Sequence, residues 1–147
     1  MKKGIDFIGV GTGALIFNDQ GEVFLAQRGP KARNEVGKWE FPGGAVEFGE
    51  TCERAIVREI KEEFDIQIEV VEFLEVVNHI LPDEKQHWVS PSFVAKHIKG
   101  IPQITEPQKC LGFKWIKISE IKPEELSSAS RSSYKKFIEK YGLGHVF

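Results

Sequence analysis

The chain has 147 residues, 41% of them hydrophobic, with 20 basic and 22 acidic side chains for a formal net charge of −2. That length and apolar content suffice for one globular domain spanning 1–147 without disulfide support, and the balanced charge leaves no broad basic face for long nucleic acid. No apolar run is long enough to cross a membrane and no secretory leader is evident, so a cytoplasmic protein with Cys52 and Cys110 as reduced thiols is expected.

In chain order, a strand is expected from Asp6 to Phe17, a turn at Asn18 to Gly21, and a returning strand from Glu22 to Arg28. GVGTGA at Gly9 to Ala14 imitates a dinucleotide-binding fingerprint. That fingerprint must open a helix, and Leu15, Ile16, Phe17 and the turn behind them refute it, leaving close backbone packing or a bulge. Gly29 to Lys38 reads as an exposed loop whose Lys31, Arg33 and Lys38 are loop charges, with transient contact of one of them to a polyphosphate as the alternative, and such loops carry specificity when a rigid scaffold positions them. Arg28, where the second strand ends, can reach a phosphate across the following glycine turn; a solvated strand-end charge is the competing reading. Phe41, Pro42, Gly43 and Gly44 then close an apolar stretch. The glycines admit close ligand approach, and backbone amides in such a turn can cradle phosphate oxygens.

Thr51 is the expected N-cap of a helix, with Arg54 rather than a capping-box glutamate at the third helical position. Glu59, Glu62 and Glu63 share one face of that helix. Three like charges repel, and the C-terminal half of a helix disfavours anions, so stability alone would not select them. The same arc carries Cys52, Ala55 and Ile56 and should face the protein body, where a divalent metal would relieve the repulsion. Oxygen-only ligands favour Mg²⁺, with Mn²⁺ as the alternative, over zinc. A solvated acidic edge is the bland alternative. Arg58 can bind Glu50 bidentately, tying the incoming loop to the helix.

Beyond the helix, Gln67 to His79 and Gln86 to His97 should form a hairpin around the Leu81 to Lys85 turn. His79 and His87 could meet there, but two histidines do not make a zinc centre; His87 or Trp88 would shape a base or dimer surface or simply pack. Glu106, Gln108 and Lys109 suit an active-site margin leading into a short strand, on which Phe113 and Trp115 are expected to face opposite sides. A last helix is expected between Pro123 and Tyr141, with Glu124 and Glu125 near its start and Gly142 as its terminator.

Gly44, Glu50, Arg58, Glu59, Ile60, Glu62, Glu63 and Ile66 together resemble the signature of the Nudix hydrolase superfamily. Asp65 departs from it, standing where that pattern has a glycine; aspartate tolerates the left-handed conformation with some strain. Outside the signature, WEFPGGAVEFGE, the NHI and HWV segments and EPQKCLGFKW resemble a subgroup acting on small nucleotides. The resemblance implies an α/β fold, an α/β/α sandwich with a mixed sheet, and hydrolysis of a nucleoside triphosphate at the α–β linkage to monophosphate and pyrophosphate. It also implies a homodimer. Glu59, Glu62 and Glu63 would hold the metal; Glu59 leads as general base, with Glu62 or Glu106 in reserve, and Arg58 supports catalysis. Arg28, Phe41, Gly43, Gly44 and Phe113 would contact substrate, Gly11 and Thr12 border it, and Glu50 gives structural support. Alternatives are cleavage of ADP-ribose or another sugar-linked nucleoside diphosphate, and a noncatalytic module for nucleotide sensing and protein binding.

Overall fold

The first strand is buried on both faces of the sheet, and that double burial builds the molecule. In the computed structural model, which describes residues 1–145 and Phe147, β1 (Gly9–Phe17) sends Ala14 and Ile16 to one face of the sheet and Leu15 and Phe17 to the other. Every second side chain of a strand shares a face, so each parity needs its own cover. A helix supplies it on either side: α1 (Cys52–Phe64) packs Ile56, Ile60 and Phe64 on the first face, and α2 (Ser128–Tyr141) packs Phe137 on the second. The result is the expected α/β/α sandwich with a mixed sheet.

Strand β2 (Glu22–Arg28) returns from β1 through a turn that Asn18 organises, its Oδ1 accepting from the Gln20 and Glu22 amides at 3.0 and 2.9 Å. The two strands share a register only at Phe17 and Val23 and then diverge. β4 (Gly43–Ala45) takes over pairing with β1 at Gly11 to Gly13, while β3 (Trp39–Glu40) and β7 (Cys110–Lys117) flank β2. The hairpin of β5 (Gln67–Leu81) and β6 (Gln86–Lys99) completes the sheet, β6 running parallel to β1. Both strands run past the expected ends at His79 and His97. Among the described residues no helix is long and apolar enough to cross a membrane.

Both expected ends of α1 are present: Thr51 Oγ1 accepts from the Arg54 amide at 3.2 Å, and Asp65 adopts the left-handed conformation at φ 55°. Three other expectations need correction. The first strand begins at Gly9, not Asp6, because Lys2 to Phe7 form a turn held by the Asp6 carboxylate on the Lys2 amide. Gly4 and Gly9 lie directly on the Trp88 ring, where a Cβ at either would collide with it. The last helix begins at Ser128, since the Ser127 amide is drawn to the Trp39 carbonyl at 2.8 Å and Leu126 forms a bridge with Trp39, leaving Pro123–Glu125 as a separate 3₁₀ turn. Finally, Phe113 and Trp115 face the same side and both pack on Phe24, as residues two apart in a strand must.

Candidate active site

Arg58 is the hub of the loop that leads into α1. Its Nη2 and Nε bind the two Glu50 carboxylate oxygens at 2.6 and 3.0 Å, the expected fork, and Nη2 also donates to the Ala45 carbonyl at 3.0 Å. Nη1 reaches Glu59 and Glu62, each at 3.1 Å. One guanidinium therefore fixes the loop, β4 and two of the three helix glutamates. The hydrogen bonds from Arg58, then from the Glu47 amide, hold the Glu50 carboxyl down at about 2, and the Glu50 contact in turn raises the Arg58 pKa.

Above this hub a cavity opens between α1, the segment 29–33 and the segment 106–110. Glu59, Glu63, Glu40 and Glu106 line it with Arg28, Lys31, Arg33 and Lys109. Desolvation raises the Glu59 carboxyl despite Arg58, and it pushes Glu63 up to about 8, with help from Glu40, Glu59 and Glu106 against Lys109. Two ionisable groups that burial and like charge drive toward neutrality mark a place where a hard cation would be stabilised. The oxygen-only donor set fits Mg²⁺ or Mn²⁺. Glu59 and Glu63 line the cavity, whereas Glu62 is exposed and held by Arg58. Among the described residues, no three acidic, His or Cys side chains already converge as a ligand set, so the carboxylates would draw together on a cation.

A second cavity lies beyond the β4 turn on the α2 face of the sheet, lined by Gly11 and Gly13 of β1, Ser90 and Ser92 of β6, and Ser127, Ala129, Ser130 and Ser133 at the start of α2. Phe41, Val77, His79 and Trp88 complete its walls. Arg28, Arg33, Glu40, Gly43 and Gly44 border both cavities. Gly43 is sterically required, and Gly44 leaves room for the Glu59 side chain. A Cβ at residue 43 would run into the Thr12 carbonyl, and one at residue 44 into the Glu59 carboxylate.

The expected substrate-contacting residues are only partly assembled. Phe41, Gly43, Gly44 and Arg28 meet at the junction, although Arg28 already gives Nη1 to Glu40 at 2.7 Å and Nε to the Asn34 carbonyl at 2.6 Å. Gly11 and Thr12 line the second cavity. Phe113 lies elsewhere, stacked on Phe24 and edge-on to Phe64 within the α1-side core. His79 and His87 do not meet, since the register sets His79 opposite Trp88.

Arg33, read from sequence as a loop charge, stands with its guanidinium 4.2 Å from the Trp88 ring centroid at the junction. Desolvation and Arg28 lower its pKa while Glu59, Glu40 and Glu63 oppose them; the residue as a whole remains exposed, so its charge persists. The loop carrying it is clasped to the β5–β6 hairpin: Gln86 Nε2 donates to the Arg33 carbonyl at 2.7 Å and Gln86 Oε1 accepts from Asn34 at 3.0 Å. Glu35 meets His79 Nε2 at 2.9 Å and accepts from both the Ser128 amide and hydroxyl. No spacing rule connects residues 35, 79 and 128, and only the folded chain reveals the contact.

The NUDIX domain model matches residues 8–137, and with the glycine turn, Glu50, Arg58 and the helix glutamates in the arrangement described, the chain belongs to that family. Among curated relatives, it is 37% identical over 122 residues to a protein of Caenorhabditis elegans described as putative nudix hydrolase 1, covering 80% of this chain and 31% of that one. It is 42% identical over 69 residues to the 8-oxo-dGTP diphosphatase of Proteus vulgaris, covering 47% and 61%, and 43% identical over 89 residues to the CTP pyrophosphohydrolase of Escherichia coli, covering 60% and 59%. The chain thus spans between about one third and three fifths of the length of these relatives. A solved MutT NUDIX hydrolase from Burkholderia pseudomallei superimposes with a TM-score of 0.80 at 35% identity, over 89% of this chain and 98% of that one.

Proposed function

We propose that the protein is a Mg²⁺-dependent nucleoside triphosphate pyrophosphohydrolase that cleaves the α–β linkage to give a nucleoside monophosphate and pyrophosphate. One observation carries this reading: a carboxylate-lined cavity and a slot with small residues on its floor adjoin at Arg28, Arg33 and the Gly43–Gly44 turn. A phosphate chain laid across the turn puts its charge beside the carboxylates and arginines and leaves its planar base in the slot. The 8-oxo-dGTP and CTP relatives, as described, also act on free nucleotides.

Glu59 and Glu63 would hold the ion, with Glu62 joining when its side chain turns from Arg58. Mg²⁺ or Mn²⁺ there supplies Lewis acidity and makes a bound water more acidic. Glu59 is the leading acceptor of the proton from the attacking water, with Glu106 across the cavity as second candidate. Arg28 and Arg33 neutralise phosphate oxygens, while Arg58 fixes Glu59 relative to the glycine turn. The same proposal includes a homodimer formed through the edge strand β5, where Val71, Phe73 and Val76 are exposed, and a cytoplasmic setting.

The test is turnover of canonical and modified nucleoside triphosphates, ADP-ribose and other sugar-linked diphosphates with Mg²⁺, with products resolved by chromatography. Monophosphate plus pyrophosphate is the expected outcome. Orthophosphate as the sole phosphate product excludes α–β cleavage; preference for ADP-ribose transfers the site to linked diphosphates. Failure to turn over any of these, with nucleotide-dependent protein binding instead, assigns the chain to a sensor role.

A further inference from the structure

The seam between α2 and the sheet is built with hydroxyls where alanine would pack as well. Ser92, Ser127, Ser130 and Ser133 are all buried, and all line the slot. A buried hydroxyl is costly unless it is hydrogen-bonded, and here the partners form a directed chain. Ser133 Oγ lies 3.1 Å from Glu75 Oε2 and 2.9 Å from Ser92 Oγ, and Ser132 also donates to Glu75 Oε2 at 2.9 Å. A carboxylate only accepts and a serine has one hydroxyl proton. With the Ser133 proton committed to Glu75, the Ser92–Ser133 bond must use the proton of Ser92. Ser92 is then left with lone pairs toward the slot: it can accept from a ligand and has no proton to give.

The backbone supports this arrangement. The β5–β6 register shifts between Phe73 and Glu75, which sets Glu75 beside Ser92 in the ladder. Leu74 and Glu75 consequently both turn toward α2, followed by Val77 and His79 in the slot wall. Strand irregularities of this kind re-aim side chains next to functional sites.

We infer that Glu75, acting through Ser133, fixes Ser92 as a hydrogen-bond acceptor that selects nucleobases bearing an exocyclic amino group over their keto or unsubstituted counterparts. Ser92 is the specificity residue; Ser133 and Glu75 are positioning residues. This inference rests on the slot being the base site proposed above.

The test compares kcat/KM within two substrate pairs differing at an amino group, CTP with UTP and GTP with ITP, for the wild type and for Ser92→Ala, Ser133→Ala and Ser132→Ala. The wild type should prefer the amino member of at least one pair. Ser92→Ala removes the acceptor, and Ser133→Ala frees the Ser92 proton to donate; each should reduce that preference roughly five- to tenfold, the scale of one hydrogen bond. Ser132→Ala touches Glu75 without reaching Ser92 and should keep it. No amino preference in either pair overturns the inference, as does an unchanged ratio in folded Ser92→Ala and Ser133→Ala. If the wild type hydrolyses no triphosphate, the functional reading fails separately. Calorimetric binding of CMP against UMP and GMP against IMP then reads the same preference with the same deciding outcomes.

Discussion

Glu63 lines the carboxylate-rich cavity, where its charge is costly to the fold. Its folded pKa stands at about 8 because desolvation and then Glu40, Glu59 and Glu106 disfavour its charge, whereas in the unfolded chain it titrates as an ordinary glutamate, near 4.3. The unfolded state therefore loses this proton first. Stability falls as pH rises from about 4.3 to about 8 and levels off above, the sign opposite to that of an ion-paired carboxylate. Glu63→Gln, measured by thermal melting in chelator, should accordingly raise the melting temperature at pH 8 and change it little at pH 4. An equal effect at both pH values would mean that the carboxyl is not held neutral. The same variant with Mg²⁺ should lose turnover, and Glu59→Gln should lose roughly a hundredfold or more in kcat if it takes the proton. Near-normal kcat for Glu59→Gln over a full Mg²⁺ titration would pass that role to Glu106.

Among the elements, α1 carries a local compromise and the 29–38 loop a distant anchor. Asp65 closes α1 at φ 55°, where a Cβ costs about 1 kcal/mol relative to glycine, and its exposed ion pair with Lys61 offsets little of that. Asp65→Gly should raise the melting temperature by a few degrees with unchanged turnover; a lower value would show that the Lys61 pair matters more than the backbone. The loop is anchored through Glu35. Desolvation opposes ionisation of its carboxyl, but the hydrogen bonds from His79 and Ser128 outweigh it and hold the pKa at about 2. This stabilisation is complete above the ordinary glutamate pKa and is lost as pH falls from about 4.3 toward about 2. Glu35→Gln should cost about 3 kcal/mol near neutral pH and little at pH 2, as read by denaturant unfolding. Because the loop also carries Arg33, the variant should raise KM more than it lowers kcat.

At the scale of the molecule, β5 leaves one edge of the sheet unpaired among the described residues, with Val71, Phe73 and Val76 between 44% and 51% exposed. A long apolar edge strand invites a partner, which supports the proposed homodimer. Light scattering should give twice the chain mass, and Phe73→Glu should halve it while leaving the fold intact. A wild-type monomer at all concentrations would remove the dimer from the proposal.

Local rules made much of this protein legible in its sequence. The β1–β2 turn follows from Asn18 and Gly21, α1 from the Thr51 cap and its apolar arc, and the Arg58–Glu50 pair from complementary charges on a helix and the loop before it. Each interaction is local or spans one short connection. The parity of Phe113 and Trp115 is equally local, since two residues apart means one face, and the expectation of opposite sides misapplied that rule. The slot depends on contacts that spacing does not encode. Gly11 and Gly13, Ser92 and Ser133 come from β1, β6 and α2, and a register shift in β5 decides which face Glu75 presents. Arg33 likewise gains its place from distant contacts, as Gln86 clasps its loop to the hairpin and Glu35 anchors it to His79 and Ser128. The carboxylate helix and the glycine turn are encoded locally, because neighbours along the chain create both. The slot between β1, β6 and α2 and the hydroxyls that line it are set by tertiary contacts, because they depend on which distant segments meet and in which register.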